Sequence, residues 1–539
     1  MIASMTATIQ ILFLMLAVLV VAALIARRLN TAPSIVLVVA GVALALVPGL
    51  PPIELAPELV LLVILPPLIY SAGVSMSWRE FRFNLRPITL LAFGLVVFTT
   101  CAVAAAARYV LGFSWPVGFL LGAIVAPPDV VAPLAIARRL GLPRRLLVVL
   151  EGEGLANDAT ALILYRFAVV AITTGAFSPV QAAGTFAAIV VGEIIWGIGV
   201  GWLSLSLRRW ARDARVEIVL SLMTPYFAYW VPEHVGGSGV LATVATGLYV
   251  SWNGPLLIPS ATRLQGIFFW DLIIYLIEGF VFLLTGLQAR TLIENIERFP
   301  IRDIAIATLV ITAIVIAARF VWVFPATYLP RWLNPSLRKR DPSPPWQQVF
   351  VLSLIGVRGV VSLAAALAIP LTLASGARFP DRDRILFIAF GVIILTLVGI
   401  GLTLPAVIRW LGVNKHRAAE YRREHEAELA ARHQAMDVGL RRLEELARER
   451  NLPHEVAALL KARQQLRHQQ FPRSLTDENE KEVLGAELRM ELIGAEREFL
   501  YQLLQEGKIT DESRRRIERE LDLEEESIAC RQDGQTPPL

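Results

Sequence analysis

The chain has 539 residues, 55% hydrophobic and only 18% charged, with net charge +5 and mean hydropathy +0.58. A soluble protein of this length carries about a quarter charged residues, so a wholly soluble enzyme or carrier is excluded. The basic excess sits in short loops with no aromatic-interleaved stripe, which argues against nucleic acid as a partner.

The average hides a division. Up to about residue 412 the chain is a series of apolar runs long enough to span a bilayer as helices; beyond it charge takes over. We therefore expect an all-α polytopic membrane protein, with a transmembrane domain over 1–412 and a charged, helical cytoplasmic tail over 413–539. About thirteen spans are expected, at 8–27, 32–49, 57–75, 87–108, 117–137, 146–171, 181–206, 216–232, 237–251, 266–288, 303–327, 346–372 and 384–411. No Lys or Arg precedes the first apolar run and Arg27-Arg28 follow it, the pattern of a retained helix with its N-terminus outside.

Loop charge agrees with that orientation. Arg79, Arg82 and Arg86, then Arg138-Arg139, then Arg208, Arg209, Arg212 and Arg215 fall inside, while loops 50–56, 172–180 and 233–236 hold no Lys or Arg. The bias weakens at 289–302 and 375–384, where Arg290, Arg298, Arg378 and Arg382 fall outside. An odd span count places the tail inside. In the tail, 417–450 reads as one helix and Pro453 opens a second. Thr476-Asp477-Glu478 opens a third helix, ended by Gly507, and Thr510 opens a fourth.

Pro66-Pro67, Pro127-Pro128 and Pro370 interrupt apolar spans. Proline removes one helical hydrogen bond and blocks another, and at membrane depth the freed carbonyls need partners in protein or a watery cavity. Ion sites of secondary transporters are built on such breaks. Residues 124–132 combine a break with Asp129; the bland alternative is a kink with a structural acid.

The next span carries Glu151, Glu153 and Asp158. Intramembrane charges cost at least about 2.5–3.5 kcal/mol each, so by default they mark an ion or proton path. Asp158, beside Asn157, is the candidate that binds a cation and a proton in turn, with Asp129 nearby; the alternative is an interhelical hydrogen bond. Asn157 offers both donors and an acceptor to orient a carboxylate. Glu153 lies five positions before Asp158, roughly 140° around the helix, and needs its own partner. Arg358, in Gly356-Val357-Arg358-Gly359, is the best candidate, giving a structural Glu153–Arg358 pair. Glu151 either lines the cytoplasmic mouth or is solvated there, and Glu278 either lines the route or bonds a neighbouring helix. Glu193, Arg166 and Arg319 are read as packing pairs or snorkelling groups.

Five of the six histidines lie in the tail and His234 in a loop, so carboxylates must carry any intramembrane proton. Cys101 and Cys530 support neither a disulfide framework nor a metal site. There is no Walker loop and no potassium-filter sequence, and no cofactor is expected.

Several stretches, in order and spacing, resemble the NhaP-like bacterial branch of the monovalent cation:proton antiporters, the sodium–proton exchangers. They are Leu65-Pro66-Pro67-Leu68, Ala126-Pro127-Pro128-Asp129, Glu151 to Asp158, Gly286-Leu287 and Arg358 to Ala364. The resemblance implies thirteen helices with inverted repeats, a core and a dimerisation domain, and a homodimer in the cell membrane. It implies exchange of Na⁺ for H⁺, with Na⁺ at Asp158 and Asp129, and the Glu153–Arg358 pair. The Asn157-Asp158 order resembles the electroneutral type. Ala126 and Gly154 stand where the family often has serine, Glu278 where bacterial relatives often have asparagine, and Ser71 where some have glutamate. Gly154 thus lacks a hydroxyl that lies near the cation in relatives, which leaves Na⁺, Li⁺ and K⁺ open. Two other functions compete: a non-transporting ion sensor signalling through the tail, and a passive cation channel.

Overall fold

The computed structural model describes the chain apart from residues 1, 30, 49–54, 176–177, 292–299, 374–375, 414–416, 470–479, 507, 509–510 and 534–539. Most of the expected outer loop at 50–56 lies outside the described residues, as do Arg298, Thr476, Asp477, Glu478, Gly507 and Thr510.

The first apolar runs form α1 (Ile2–Leu29), α2 (Pro33–Ala45) and α3 (Leu65–Ser75), the last preceded by a π-helical stretch, Leu59–Ile64. Pro66 and Pro67 lie where the π stretch passes into α3, and the carbonyls four residues before them, Leu62 and Val63, accept from Trp230 Nε1 at 3.0 Å and the Tyr226 hydroxyl at 3.1 Å, so the helix changes register there rather than breaking. α4 (Trp78–Phe83) and α5 (Leu85–Thr89) lead through a second π stretch, Leu90–Leu95, into α6 (Val96–Tyr109). The fifth expected span is two half-helices, α7 (Trp115–Val125) and α8 (Val131–Arg139).

α9 (Arg144–Thr174) stops at Gly175, whose φ of 69° is the left-handed cap glycine adopts freely. α10 (Pro179–Ala211), α11 (Ala214–His234), α12 (Val240–Leu257) and α13 (Ser260–Leu287) follow. Asp213 caps α11 by accepting from the Arg215 and Val216 amides at 3.0 Å. Next are α14 (Ile301–Leu333) and α15 (Pro335–Arg340).

The twelfth expected span is again two half-helices, α16 (Trp346–Leu354) and α17 (Val360–Leu367), before α18 (Arg382–Leu411). Its break lies at 355–359, around Arg358; Pro370 lies beyond the end of α17 and does not make it.

Two compact units divide at Val413/Asn414. In the first, seven of the described helices are long and apolar enough to cross a membrane. Their outward faces keep apolar side chains exposed, such as Phe13, Trp202 and Phe268, as lipid contact requires. Inside, α2 packs on α13, α3 and α10 on α12, and α7 on both α6 and α9. Glycines permit the closest approaches: a Cβ on Gly41 would stand 2.4 Å from the Leu283 carbonyl of α13. The second unit holds α19 (Arg417–Glu449), α20 (His454–Gln469), α21 (Glu480–Gln505) and α22 (Asp511–Asp533). α21 and α22 pair through buried Ile493, Leu500 and Leu521 and through Arg489–Glu524.

Candidate functional site

The two broken spans cross and are hydrogen-bonded to each other: the Asp129 amide donates to the Val357 carbonyl at 2.7 Å. Each break leaves a half-helix whose last carbonyls lack helical partners. Arg358 supplies donors to the end of α7. Its Nε donates to the Val125 carbonyl at 2.8 Å, its Nη2 to that of Ala126 at 3.2 Å, and its Nη1 to that of Gly356. A cation there also meets the negative end of the helix dipole. The Arg358 amide donates to Thr396 Oγ1 on α18 at 3.0 Å, fixing the loop from behind.

Asp129 stands at the opposite polarity. Its Oδ1 accepts from the Val131 amide at 2.9 Å, at the start of α8. Its carboxylate also lies against Gly359, just before α17: a Cβ there would fall 1.8 Å from Oδ2. One carboxylate thus faces the N-terminal ends of two half-helices, where partial positive charge collects.

α9 brings Asn157 and Asp158 to the crossing. The Asn157 amide donates to the Pro128 carbonyl at 2.7 Å, and its Oδ1 accepts from the Asp158 amide at 2.7 Å. Asn157 is fully buried, so its polar atoms are engaged in holding the break against α9. Asp158, one residue on, is only half-buried, as is Asp129, and the two lie near enough for their charges to act on each other. Gly154 is one turn before Asp158 on the same face. A Cβ on Gly154 would fall 2.3 Å from Val130 Cγ2, so a methyl of the break covers this position.

The expected Glu153–Arg358 pair is corrected. Glu153 is paired with Arg319 of α14, whose Nη1 and Nη2 donate to its two oxygens at 2.5 and 2.8 Å. Both residues are sealed, with Glu153 0% and Arg319 1% exposed. Arg358 is unavailable because the carbonyls freed at the end of α7 take its guanidinium. Arg319 serves the other break in the same way: its Nε donates to the Leu352 carbonyl near the end of α16 at 3.1 Å. The angular argument does hold, since Glu153 turns into protein while Asp158 stays partly exposed.

Glu151 accepts from Arg138 at the end of α8 at 2.6 Å, in a partly exposed ion pair. Glu278, half-buried on α13, lies within electrostatic reach of Asp129 and Arg138. Two groups without an assigned role in the sequence find one. Glu193 of α10 caps α12, accepting from the amides of Gly239 at 3.1 Å and Leu241 at 3.0 Å and from Ser238. The signal was the Gly236-Gly237-Ser238-Gly239 run, whose bare amides need an acceptor. Arg166 of α9 pairs with Glu233 of α11.

A family model described as "Sodium/hydrogen exchanger, transmembrane" matches residues 14–410. The chain belongs to the sodium/hydrogen exchanger family. It is 38% identical over 400 residues to an uncharacterized Na⁺/H⁺ exchanger of Mycobacterium tuberculosis, covering 74% of this chain and 73% of that protein. It is 31% identical over 479 residues to the sodium, potassium, lithium and rubidium/H⁺ antiporter of Bacillus subtilis, covering 85% and 69%. The fold matches that of the sodium proton antiporter MjNhaP1 from Methanocaldococcus jannaschii with a TM-score of 0.58 at 20% identity, over 77% of this chain and 97% of the other. The crossing therefore belongs to an all-α, multi-pass antiporter of the Na⁺/H⁺ exchange class.

Proposed function

We propose that this exchanger works by competition at Asp158, which binds either a cation or a proton and is carried across by alternating access. The supporting observation is the contrast within α9: Glu153 and Asn157 are sealed and hydrogen-bonded, whereas Asp158 is partly exposed beside Asp129. A lone carboxylate cannot hold both ligands at full strength, so the gradient of one drives the other. Asp129 faces two positive helix ends, which offset its charge in either state. Asn157 adds no charge beside Asp158, which supports exchange of one proton per cation.

Na⁺ is the first candidate cargo, with Li⁺ and K⁺ as further ones, since the Bacillus subtilis relative is named for several alkali cations. Gly154 under Val130 offers no hydroxyl, so water and carbonyls beside Asp129 and Asp158 complete the cation's shell. Glu278 and the Arg138–Glu151 pair stand on the inner route. A homodimer in the plasma membrane is what the sequence resemblance implies, and the loop arginines support an N-terminus outside with the tail cytoplasmic.

The test is a vesicle assay of pH-gradient dissipation by Na⁺, Li⁺ and K⁺, with and without clamped voltage. Asp158→Asn is expected to abolish exchange while folding and inserting normally. Exchange surviving in that variant overturns the assignment, and a rate that follows the clamped voltage overturns the stoichiometry.

A further inference from the structure

A cavity of about 310 Å³ opens among α3, α10, α11, α12 and α13, on elements that do not build the crossing. Its size falls in the roughly 300–1,000 Å³ range of small-molecule sites. Four ionisable groups line it: Arg263 and Asp271 of α13 are exposed, whereas two of opposite sign are buried, Arg208 near the end of α10 and Glu217 in the first turn of α11. Arg208 is 6% exposed and Glu217 1%. Arg208 Nη2 donates to the Tyr70 hydroxyl at 2.9 Å, but its Nε has no partner, and neither has Glu217 Oε2. A buried charged group with an unmade hydrogen bond is costly, and here two of opposite sign share one cavity.

The cavity wall is amphiphilic. Ile267 lines it and is 62% exposed, so an apolar path leads from the charged floor to the outside of the bundle. The same end of the bundle carries Arg209, Arg212, Arg215 and Arg263 in its loops and helix ends. That places the floor at headgroup depth of the leaflet the loop arginines face.

We infer that this cavity holds a zwitterionic lipid headgroup of the phosphatidylethanolamine type. Its phosphate accepts from Arg208 Nε, its ammonium donates to Glu217 Oε2, and its chains leave past Ile267. The phosphate and ammonium of that headgroup are joined through two carbons, so a single molecule carries both the acceptor that Arg208 Nε lacks and the donor that Glu217 Oε2 lacks. A choline headgroup has the charges but no N–H for Glu217, and a glycerol headgroup has no cation.

Native mass spectrometry of the full-length protein in detergent tests this, with ethanolamine, choline and glycerol phospholipids added at equal concentration. The ethanolamine lipid is expected to bind about tenfold more tightly than the choline lipid, the worth of one charge-assisted hydrogen bond. Glu217→Gln should remove most of that ratio, with thermal unfolding checking its fold. Equal binding of the two lipids to the unmodified protein, which needs no variant, overturns the inference. So does an unchanged ratio in Glu217→Gln. Soluble glycerophosphoethanolamine binding as tightly as the lipid would overturn the membrane source.

Discussion

Both oxygens of Glu153 accept from the two terminal nitrogens of Arg319, at 2.5 and 2.8 Å, in a part of the bundle closed to solvent. Removing one member of a buried pair strands the other and costs about 3–5 kcal/mol. Arg319→Ala is therefore expected to lower thermal stability strongly, and adding Glu153→Ala should restore part of it. Restoration stays incomplete because the Leu352 carbonyl still lacks its donor. Arg358→Ala should gain nothing comparable from Glu153→Ala. Thermal unfolding of the four variants decides; relief of Arg358→Ala equal to that of Arg319→Ala would overturn the pairing.

The two glycines of the second break should differ sharply. A Cβ on Gly359 meets Asp129 Oδ2 at 1.8 Å, with the Asp129 backbone pinned by Val357. At Gly356 the nearest atoms are Arg358 Nη1 at 3.0 Å and Arg319 Cδ at 3.1 Å, parts of longer side chains that can shift by tenths of an ångström. Gly359→Ala is expected to abolish exchange, and Gly356→Ala to keep most of it. Rates in vesicles at matched protein density check both; an active Gly359→Ala would show that Asp129 need not sit between the half-helices.

The sequence makes the first break legible because Pro127 and Pro128 announce it and Asp129 follows at once. It hides the second, where Pro370 draws attention while the chain actually opens at Gly356 to Gly359. Asp158 stands out as a charge among apolar neighbours, and helix rotation correctly separates it from Glu153. The partner of Glu153 is not legible, because Arg319 and Arg358 are both intramembrane arginines in apolar runs. What divides them is which unpaired carbonyls each one reaches, a property of how two breaks cross and not of either segment. The partner of the Asn157 donor is hidden for the same reason: it is the carbonyl of Pro128, 29 positions away.

Gly154 and Val130 form a matched pair, and each should be replaceable only with the other. Gly154→Ser alone places its Cβ 2.3 Å from Val130 Cγ2 and should slow exchange severalfold by displacing the break. Val130→Ala alone leaves a small void, costing about 1 kcal/mol or more. The double variant gives the serine room on the face of Asp158 and should regain activity, with a changed ratio of Na⁺ to K⁺ transport. Cation-dependent proton flux measures this; an unaltered ratio in an active double variant would show that position 154 does not reach the cation.

Asn157 separates holding from charge. Asn157→Ala removes the donor to the Pro128 carbonyl and leaves that buried oxygen unpaired, a loss of about 1–3 kcal/mol. Asn157→Asp removes the same donor and adds a negative charge next to Asp158. If Asn157 only holds the break, both variants should lose stability, the aspartate more because its carboxylate is buried facing the Pro128 carbonyl, and any remaining exchange should stay independent of voltage. If its lack of charge also sets the stoichiometry, the aspartate variant alone should respond to a clamped potential. We expect the second outcome, because Asp158 and Asp129 already place two carboxylates at the crossing and a third would need a further positive charge for each cycle. Proton flux in vesicles at zero and at inside-negative potential distinguishes them, with thermal unfolding confirming that both variants remain folded.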